Sequence, residues 1–452
     1  MFESINPATG GAGTPFPEMS AADVEARVAL AASTYRTWRE TSLAARAALL
    51  NRIADGFADH AEALAEIATR EMGKTLKSSL AEVQKCVGGF RYYAAHGPAM
   101  LADIQVPIAS GPARQTWLPI GAVLAVMPWN FPYWQVVRFL APTIMAGNVG
   151  LLKHASLTQG VAAAIEEMVQ AAGAPAGLFQ NLAIRAGAVA AVIRDPRIAA
   201  VTLTGSEEAG AQVAEVAGRA LKKVVLELGG SDPFIVMPSA DLDAAVPAAV
   251  AARLQNAGQS CICAKRIIVH ADIYDAFHAR FIDAMMAVRV GDPMDPANDI
   301  GPLSSAAQRA TVVEQLERFQ AAGATLVGGT ALPGAGAYLA PGVLTNVPAD
   351  HPIAQEEVFG PVAMLFKVAD IDAAIALAND VPFGLGSSVW TRDPAEQARF
   401  VREIDAGMTA INQVLASAPE LAFGGIKRSG HGRELGPWGL HEFMNLKTVM
   451  GV

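Results

Sequence analysis

The segment Lys223-Val-Val-Leu-Glu-Leu-Gly-Gly230 places a carboxylate, Glu227, at the end of an apolar run that two glycines terminate. An apolar run of this length predicts a buried strand, and the glycines predict its end. Side chains at the carboxyl end of such a strand reach the crevice where open α/β sheets bind their ligands. The segment therefore predicts an α/β fold with a functional carboxylate at one edge of a sheet.

Strands and helices alternate on both sides of this segment. Before it the patterns predict, in order, a strand over 119–128, a strand over 150–153, a helix over 158–172, a strand over 200–204 and a helix over 207–218. After it they predict a strand over 265–269, helices over 273–287 and 371–379, and strands over 360–366 and 388–390. Such alternation is typical of parallel sheets covered by helices.

The two ends of the chain differ from this pattern. Residues 20–99 read as successive helices, the first beginning with a capping-box-like Ser20-Ala-Ala-Asp23. After Pro98 the character changes to short strand-like pieces, and residues 443–449 predict an edge strand.

Bulk composition limits the class of protein. The 452 residues are 52% hydrophobic and 17% charged, which predicts a well-packed protein of two or three domains. A net charge of −9 argues against a nucleic-acid partner. No apolar run is long enough to cross a membrane, and the start of the chain does not resemble a secretory signal. With only three cysteines, we expect a cytoplasmic location.

A candidate nucleophile lies 34 residues after Glu227, in Gly258-Gln-Ser-Cys261-Ile-Cys263. A cysteine attacks a carbonyl carbon as thiolate, and a carboxylate is a suitable base for the thiol or for a later water. A cysteine and a glutamate alone would be a weak signal.

Four further motifs surround this pair in order: Pro128-Trp-Asn-Phe-Pro132, Lys153-His-Ala-Ser156, Thr204-Gly-Ser206 and Glu356-Glu-Val-Phe-Gly-Pro361. Together they resemble the aldehyde dehydrogenase superfamily along essentially the whole chain. The resemblance implies a Rossmann-like cofactor domain (1–99 and 119–229), an α/β catalytic domain (230–425) and a β oligomerisation arm (100–118 and 436–452). We therefore expect a homodimer or homotetramer that acts on a small-molecule aldehyde.

The cofactor site departs from the common dinucleotide fingerprint, because the chain contains no Gly-x-Gly-x-x-Gly. By position alone, Thr204-Gly-Ser206 is better explained as the turn that starts a helix; the resemblance instead implies that it lies beside the nicotinamide. The full cofactor set that it implies is Trp129, Asn130, Lys153, His154, Ala155, Ser156, Gly205, Ser206, Leu228, Glu357 and Phe359.

Within this set, the pair Lys153 and Ser156 bears on the choice of cofactor. In the family the lysine holds the adenosine ribose, and many NAD-preferring members carry a glutamate three residues after it. A neutral hydroxyl in place of that glutamate tolerates a 2′-phosphate. The sequence therefore predicts NADP as the preferred cofactor, with NAD as the alternative.

The resemblance also implies a mechanism. Cys261 would add to an aldehyde, Asn130 and the Cys261 backbone N–H would hold the resulting oxyanion, and Glu227 would activate the water that hydrolyses the thioester. Cys263 is either a small buried side chain or a redox partner of Cys261. No metal site is expected, because Cys-x-Cys lacks further ligands at suitable spacing.

The substrate prediction depends on Arg138, which lies eight residues past Asn130 among apolar neighbours. A buried arginine requires a carboxylate, and Ser417 could add a hydroxyl to it. Succinate-semialdehyde dehydrogenases share this arginine, and the motifs look most like their short bacterial and cyanobacterial NAD(P)-dependent branch. The position of a second arginine found in some of them is Gln255 here. A broad aldehyde or other ω-acid semialdehyde dehydrogenase remains an alternative, as does a catalytically idle binding protein on the same scaffold.

Overall fold

The computed structural model describes residues 1–451. Its helices are α1 Ala21–Trp38, α2 Leu43–Asp59, α3 Ala61–Met72, α4 Leu76–Met100, α5 Trp134–Ala146, α6 Gln159–Ala171, α7 Ala186–Arg194, α8 Glu207–Arg219, α9 Leu242–Leu254, α10 Ala271–Met286, α11 Ala306–Ala321, α12 Ile371–Asn379, α13 Pro394–Glu403 and α14 Gly436–Glu442. Two 3₁₀ turns cover Gln255–Gly258 and Pro352–Gln355.

The strands are β1 Phe2–Ile5, β2 Ala12–Phe16, β3 Ile104–Ile108, β4 Gly111–Pro119, β5 Ala122–Met127, β6 Val149–His154, β7 Phe179–Asn181, β8 Ile198–Thr204, β9 Lys223–Glu227, β10 Asp232–Val236, β11 Ala264–His270, β12 Thr325–Gly328, β13 Gly342–Thr345, β14 Val362–Val368, β15 Phe383–Gly384, β16 Gly386–Trp390, β17 Met408–Ile411, β18 Ile426–Lys427, β19 Gly430–His431 and β20 Met444–Met450.

A six-stranded sheet has the order β19-β9-β8-β5-β6-β7 and is parallel except at β19. From β5 the chain builds β6 and β7 on one side, then returns to place β8 and β9 on the other. The neighbours β5 and β8 therefore form the point where strand order reverses. In open α/β sheets this is where the carboxyl ends of the strands leave a ligand crevice.

A seven-stranded sheet, in the order β12-β13-β14-β11-β10-β16-β17, is parallel except at β12. Each of the two sheets has its own hydrophobic core. The link between them is short, since β9 ends at Glu227 in the first sheet and β10 begins at Asp232 in the second. The segment Lys223–Gly230 therefore leads from the first core to the second. The α/β prediction is confirmed.

A three-stranded antiparallel sheet, β20-β4-β3, contains the end of the chain. Exposed apolar side chains lie on two of its strands: Ile104 and Ile108 on β3, and Leu446 and Met450 on β20. The predicted edge strand over 443–449 corresponds to β20. Val452, the last residue of the predicted arm, lies outside the described residues.

The structure contains the predicted capping box at the start of α1, and it extends the last of the predicted N-terminal helices past Pro98. Ser20 caps α1 with the predicted capping box, in which Asp23 bonds back to the Ser20 backbone. Helix α4 runs two residues past Pro98 to Met100, because the amide of Leu101 still donates to Gly97 O. Among residues 1–451 no helix is both long enough and apolar enough to span a membrane.

Asn148 connects the start of β5 with the C-terminal arm. Its side chain is fully buried, and its Oδ1 accepts from the amides of Ile120 and Gly121 at 2.8 and 3.0 Å. Its Nδ2 donates to Phe443 O at 2.7 Å. Two buried backbone groups and one partly buried one therefore depend on one side chain.

Replacing Asn148 with alanine should destabilise the protein by roughly 2–5 kcal/mol, because buried groups left without partners cost about 1–3 kcal/mol each. The measurement is the midpoint of thermal unfolding. Asn445→Ala, at an exposed position on β20, is the matched control and should leave the midpoint nearly unchanged. Equal midpoints for both variants would contradict this account of the arm.

Candidate active site

The strand ends at the reversal point line a cavity of about 740 Å³. Trp129 and Asn130 follow β5, and Gly205 and Ser206 follow β8. The predicted cofactor residues that border this cavity are Trp129, Asn130, Gly205, Ser206, Leu228, Glu357 and Phe359. The Trp129 and Phe359 rings meet edge to face at 5.9 Å between centroids. Seven residues from four separate motifs are thereby brought together.

The segment Thr204-Gly-Ser206 both starts a helix and borders the large cavity. The Ser206 hydroxyl caps α8 by accepting from the Ala209 amide at 3.4 Å, as expected of a turn that starts a helix. The same residue lines the cavity. The Gly205 amide donates to Glu227 O at 3.0 Å, so this turn is held against the end of β9.

Cys261 lies where this cavity meets a second one. The smaller cavity, of about 150 Å³, is here called the tunnel, and its walls include Glu82, Lys85, Trp134, Arg138, Gln255, Ser417 and Phe423. Cys261 and Gln135 line both cavities. A molecule in the tunnel and another in the larger cavity would therefore meet at the Cys261 thiol.

The chain approaches this cysteine through a strained turn. Asn256 and Ala257 have φ of +53° and +54°, a conformation that costs side-chain-bearing residues about 1–3 kcal/mol. The Asn256 Nδ2 donates to Asn130 O at 2.7 Å, and the Asn130 Nδ2 donates to Gln259 O at 3.1 Å. The turn thus fixes Asn130 beside the nucleophile loop. Sequence reasoning missed Asn256; the only signal was an asparagine two residues before a glycine.

The segment after β9 packs closely against the loop that carries Cys261. A Cβ on Gly230 would lie 2.8 Å from Cys261 O, so only glycine fits there. The buried ammonium of Lys265 donates to Ser260 O and Cys261 O, both at 2.6 Å, and pairs with Glu357 Oε1 at 3.0 Å. Lys265, which sequence reasoning also missed, therefore connects the nucleophile loop with a predicted cofactor ligand.

The resting thiol is protonated. Burial raises the pKa of Cys261 to about 12, although the charges of Lys265 and Arg138 act in the opposite direction. At neutral pH a thiolate therefore forms only when a base removes the proton or when a bound ligand changes the surroundings.

Glu227 is 2% exposed and lies outside both cavities. Burial and the neighbouring carboxyl of Glu434 raise its pKa well above the ordinary range. Gly424 makes room for it, because a Cβ there would lie 2.6 Å from Glu227 Oε1. To reach a water at Cys261, the side chain would have to rotate toward the cavity. Its role as base stays a prediction.

Lys153, Ala155 and Ser156 lie at the end of β6, outside the walls of the large cavity. Burial lowers the pKa of Lys153, and the ammonium has no carboxylate partner within residues 1–451. Ser156 is exposed. An unpaired cation beside an exposed hydroxyl at the sheet edge suits a phosphate group.

His154 needs a correction, because its side chain is not available to a ligand. It is fully buried, with Nε2 against Pro132 O at 3.0 Å and Nδ1 accepting from the Ala155 amide at 2.8 Å. Burial lowers its pKa to about 4. The imidazole is neutral and supports the loop after β5.

Arg138 lines the tunnel as expected, yet the chain supplies a carboxylate for it. The guanidinium Nε lies 2.7 Å from Glu434 Oε2, with both side chains buried, although the N–H is not directed at the oxygen. A second nitrogen donates to Gln135 Oε1. The charge of Arg138 is therefore already compensated by Glu434 before a substrate binds.

Cys263 lies outside both cavities. It is fully buried, and its Sγ donates to Gln255 O at 3.4 Å. This geometry favours the small buried side chain over the redox partner, which stays a prediction. Within residues 1–451 no group of three or more His, Cys, Asp or Glu side chains is placed to hold a metal ion.

The sequence as a whole matches the model of the aldehyde dehydrogenase family over residues 1–449. The chain belongs to this family. It is 52% identical over 451 residues to the succinate-semialdehyde dehydrogenase [NADP(+)] of Mycolicibacterium paratuberculosis, covering 99% of this chain and 96% of that protein.

Solved structures of aldehyde dehydrogenases have the same fold as this chain. The succinic semialdehyde dehydrogenase of Streptococcus pyogenes in complex with NADP⁺ is 38% identical with a TM-score of 0.97, covering 99% of both chains. An NAD-dependent aldehyde dehydrogenase from Sinorhizobium meliloti is 35% identical with a TM-score of 0.96, covering 99% of this chain and 90% of that one. The predicted family and fold are confirmed.

Exchanging Glu227 for glutamine should leave a rapid burst of reduced cofactor followed by a stall, because the thioester on Cys261 forms by addition and hydride loss before the step that needs the base. Stopped-flow absorbance of the reduced cofactor measures both phases. Since burial raises the pKa of Glu227, wild-type steady-state turnover should increase as pH rises past the usual carboxyl range, and the variant should not respond. Normal turnover in the variant would remove Glu227 from the mechanism.

Proposed function

We propose that this enzyme oxidises succinic semialdehyde to succinate with NADP. The observation that carries the proposal is Cys261 at the junction of two cavities, one bordered by the cofactor motifs and the other containing cationic side chains. The names of the mycobacterial and streptococcal relatives support the same substrate and cofactor. NAD is the alternative cofactor.

The chain's own residues supply the covalent steps. The Cys261 thiol loses its proton to solvent and adds as thiolate to the aldehyde carbon. The oxyanion that forms accepts hydrogen bonds from Asn130 Nδ2 and the Cys261 amide, each worth roughly 3–4 kcal/mol in comparable sites. Bound NADP would accept the hydride that converts this adduct to a thioester. Glu227 then removes a proton from water as the water attacks the thioester carbonyl. The C–S bond breaks, succinate leaves, and the departing Cys261 thiolate takes the proton from Glu227, which restores the thiol. Overall, aldehyde, NADP⁺ and water give carboxylic acid, NADPH and a proton.

The residues present fit NADP. Glu357, fixed by Lys265, would hold the nicotinamide ribose, and Phe359 and Trp129 would contact the ring side of the cavity. Lys153 and Ser156 would meet the adenosine ribose and its 2′-phosphate. Because Lys153 has no acidic partner in the described part of the chain, a phosphate there would compensate an otherwise unpaired charge.

We also propose the division into a cofactor domain (1–99 and 119–229), a catalytic domain (230–425) and an oligomerisation arm (100–118 and 436–452). The separate hydrophobic cores on either side of Gly230 support the first boundary. The exposed apolar residues of β3 and β20 support self-association of the arm as a homodimer or homotetramer. Three free cysteines are consistent with a cytoplasmic enzyme.

A substrate comparison tests this function. The kcat/KM for NADP reduction should favour succinic semialdehyde over uncharged butanal by roughly 2–5 kcal/mol, the range for a desolvated charge pair. Cys261→Ala should abolish turnover of both aldehydes while retaining NADP binding. Equal constants for the two aldehydes would favour a broad aldehyde dehydrogenase, and no turnover of any aldehyde would favour an idle scaffold.

Changing Ser156 to glutamate should move cofactor preference from NADP toward NAD. The new carboxylate would repel a 2′-phosphate and accept from a 2′-hydroxyl, a penalty for NADP of roughly 1–3 kcal/mol. The measurement is the ratio of kcat/KM for the two cofactors at saturating aldehyde. An unchanged ratio would place the 2′-phosphate elsewhere.

A further inference from the structure

In the part of the chain that the structure describes, the charges around the tunnel are paired, with one exception. Glu82 pairs with Lys74, and Arg138 pairs with Glu434 at 2.7 Å. Lys85, on α4, lines the same tunnel and has no carboxylate partner in residues 1–451. A largely buried ammonium without a counter-ion is costly unless a ligand supplies the charge.

The contacts of Lys85 hold its ammonium in the tunnel. Its Nζ donates to Ser417 Oγ at 2.8 Å and lies 4.7 Å from the centroid of the Trp134 ring. The single hydrogen bond leaves two N–H groups of the ammonium free to donate.

Ser417 is oriented by the same arrangement. Its Oγ accepts from Lys85 Nζ and also from Trp134 Nε1, at 2.9 Å. An oxygen that accepts two hydrogen bonds directs its own O–H away from both donors. The tunnel therefore presents a hydroxyl donor next to a cation, the combination that a carboxylate group binds.

Resting on the proposed function, we propose that Lys85 is the primary anchor for the distal carboxylate of the substrate, with Ser417 as the second donor. The aldehydes accepted would be ω-carboxylate aldehydes whose carboxylate forms an ion pair with Lys85 Nζ while the carbonyl carbon lies at Cys261. Arg138 contributes a second positive centre, already compensated by Glu434. Lys85 supplies the charge that the neutral Gln255, also on the tunnel wall, cannot provide.

The structure also makes Lys85 the better residue to mutate. Removing Arg138 would leave Glu434 buried and unpaired near Glu227, so activity toward every aldehyde would change. Removing the charge of Lys85 leaves no carboxylate unpaired, and Ser417 keeps its bond from Trp134.

The test compares Lys85→Met, which keeps the length of the side chain and removes its charge, with wild type on succinic semialdehyde and butanal. The kcat/KM for succinic semialdehyde should fall roughly 30-fold or more, mainly through KM. Butanal should change less than about threefold, since it has no carboxylate to lose. Lys85→Arg should restore part of the preference. Lys77→Met removes the same charge from an exposed position on α4 and should behave as wild type.

Equal losses for both aldehydes in Lys85→Met would overturn the proposal and make Lys85 structural; an unchanged preference would overturn it as well. A wild-type enzyme without preference for succinic semialdehyde would instead overturn the proposed function. In that case glutaric semialdehyde and pentanal, one carbon longer, provide the same charged and uncharged pair for Lys85, judged by the same outcomes.

A pH profile distinguishes the effect of the Lys85 charge on substrate preference from the effect of its side-chain shape. Burial and the charge of Arg138 on α5 lower the pKa of Lys85 to about 8, while Glu82 and Cys86 on its own helix act in the opposite direction. The ammonium is present below this pKa and is lost as pH rises through it. The ratio of kcat/KM for the charged and uncharged aldehydes, in which effects on Cys261 cancel, should therefore fall above about pH 8 in wild type and stay flat in Lys85→Met. A ratio that does not change with pH in wild type would contradict the proposal that Lys85 binds the substrate carboxylate.

Discussion

The active site depends on the close contact of the carboxyl end of the six-stranded sheet with the amino end of the seven-stranded sheet. Only four residues separate β9 in the first sheet from β10 in the second, and within them Gly230 passes against the carbonyl of Cys261. A side chain at position 230 would push the nucleophile loop away from the strand ends that carry Asn130 and Gly205. The cysteine can therefore contact both cavities only because this connection is narrow.

Buried charge governs the chemistry that this contact allows. Burial raises the pKa of the Cys261 thiol and of the Glu227 carboxyl, so both groups favour their neutral forms at rest. The cations nearby have different partners: Lys265 is fixed to Glu357, and Arg138 faces Glu434. Among residues 1–451, Lys85 contacts a hydroxyl and an aromatic ring but no carboxylate. We infer that the third of these is the one free to select a negatively charged substrate.

The sequence predicted most of the fold and the residues that lie in local motifs. A strand end and the glycines that follow it are adjacent in the chain, so such patterns predict side chains at the carboxyl edge of an α/β sheet. Contacts between distant segments were missed, because spacing along the chain carries no information about them. Lys85 and Ser417 are 332 residues apart. The pairing of Arg138 with Glu434 and the buried state of His154 likewise follow from packing between elements, which no local pattern records.

The most direct measurement of the central claim is the mass of the covalent intermediate. Glu227→Gln enzyme, mixed with succinic semialdehyde and NADP and quenched with acid, should carry one succinyl group per chain. Fragmentation of the peptide should assign the group to Cys261, with Cys263 and Cys86 unmodified. A succinyl group on another residue, or none on a protein that has released a full equivalent of NADPH, would contradict the account.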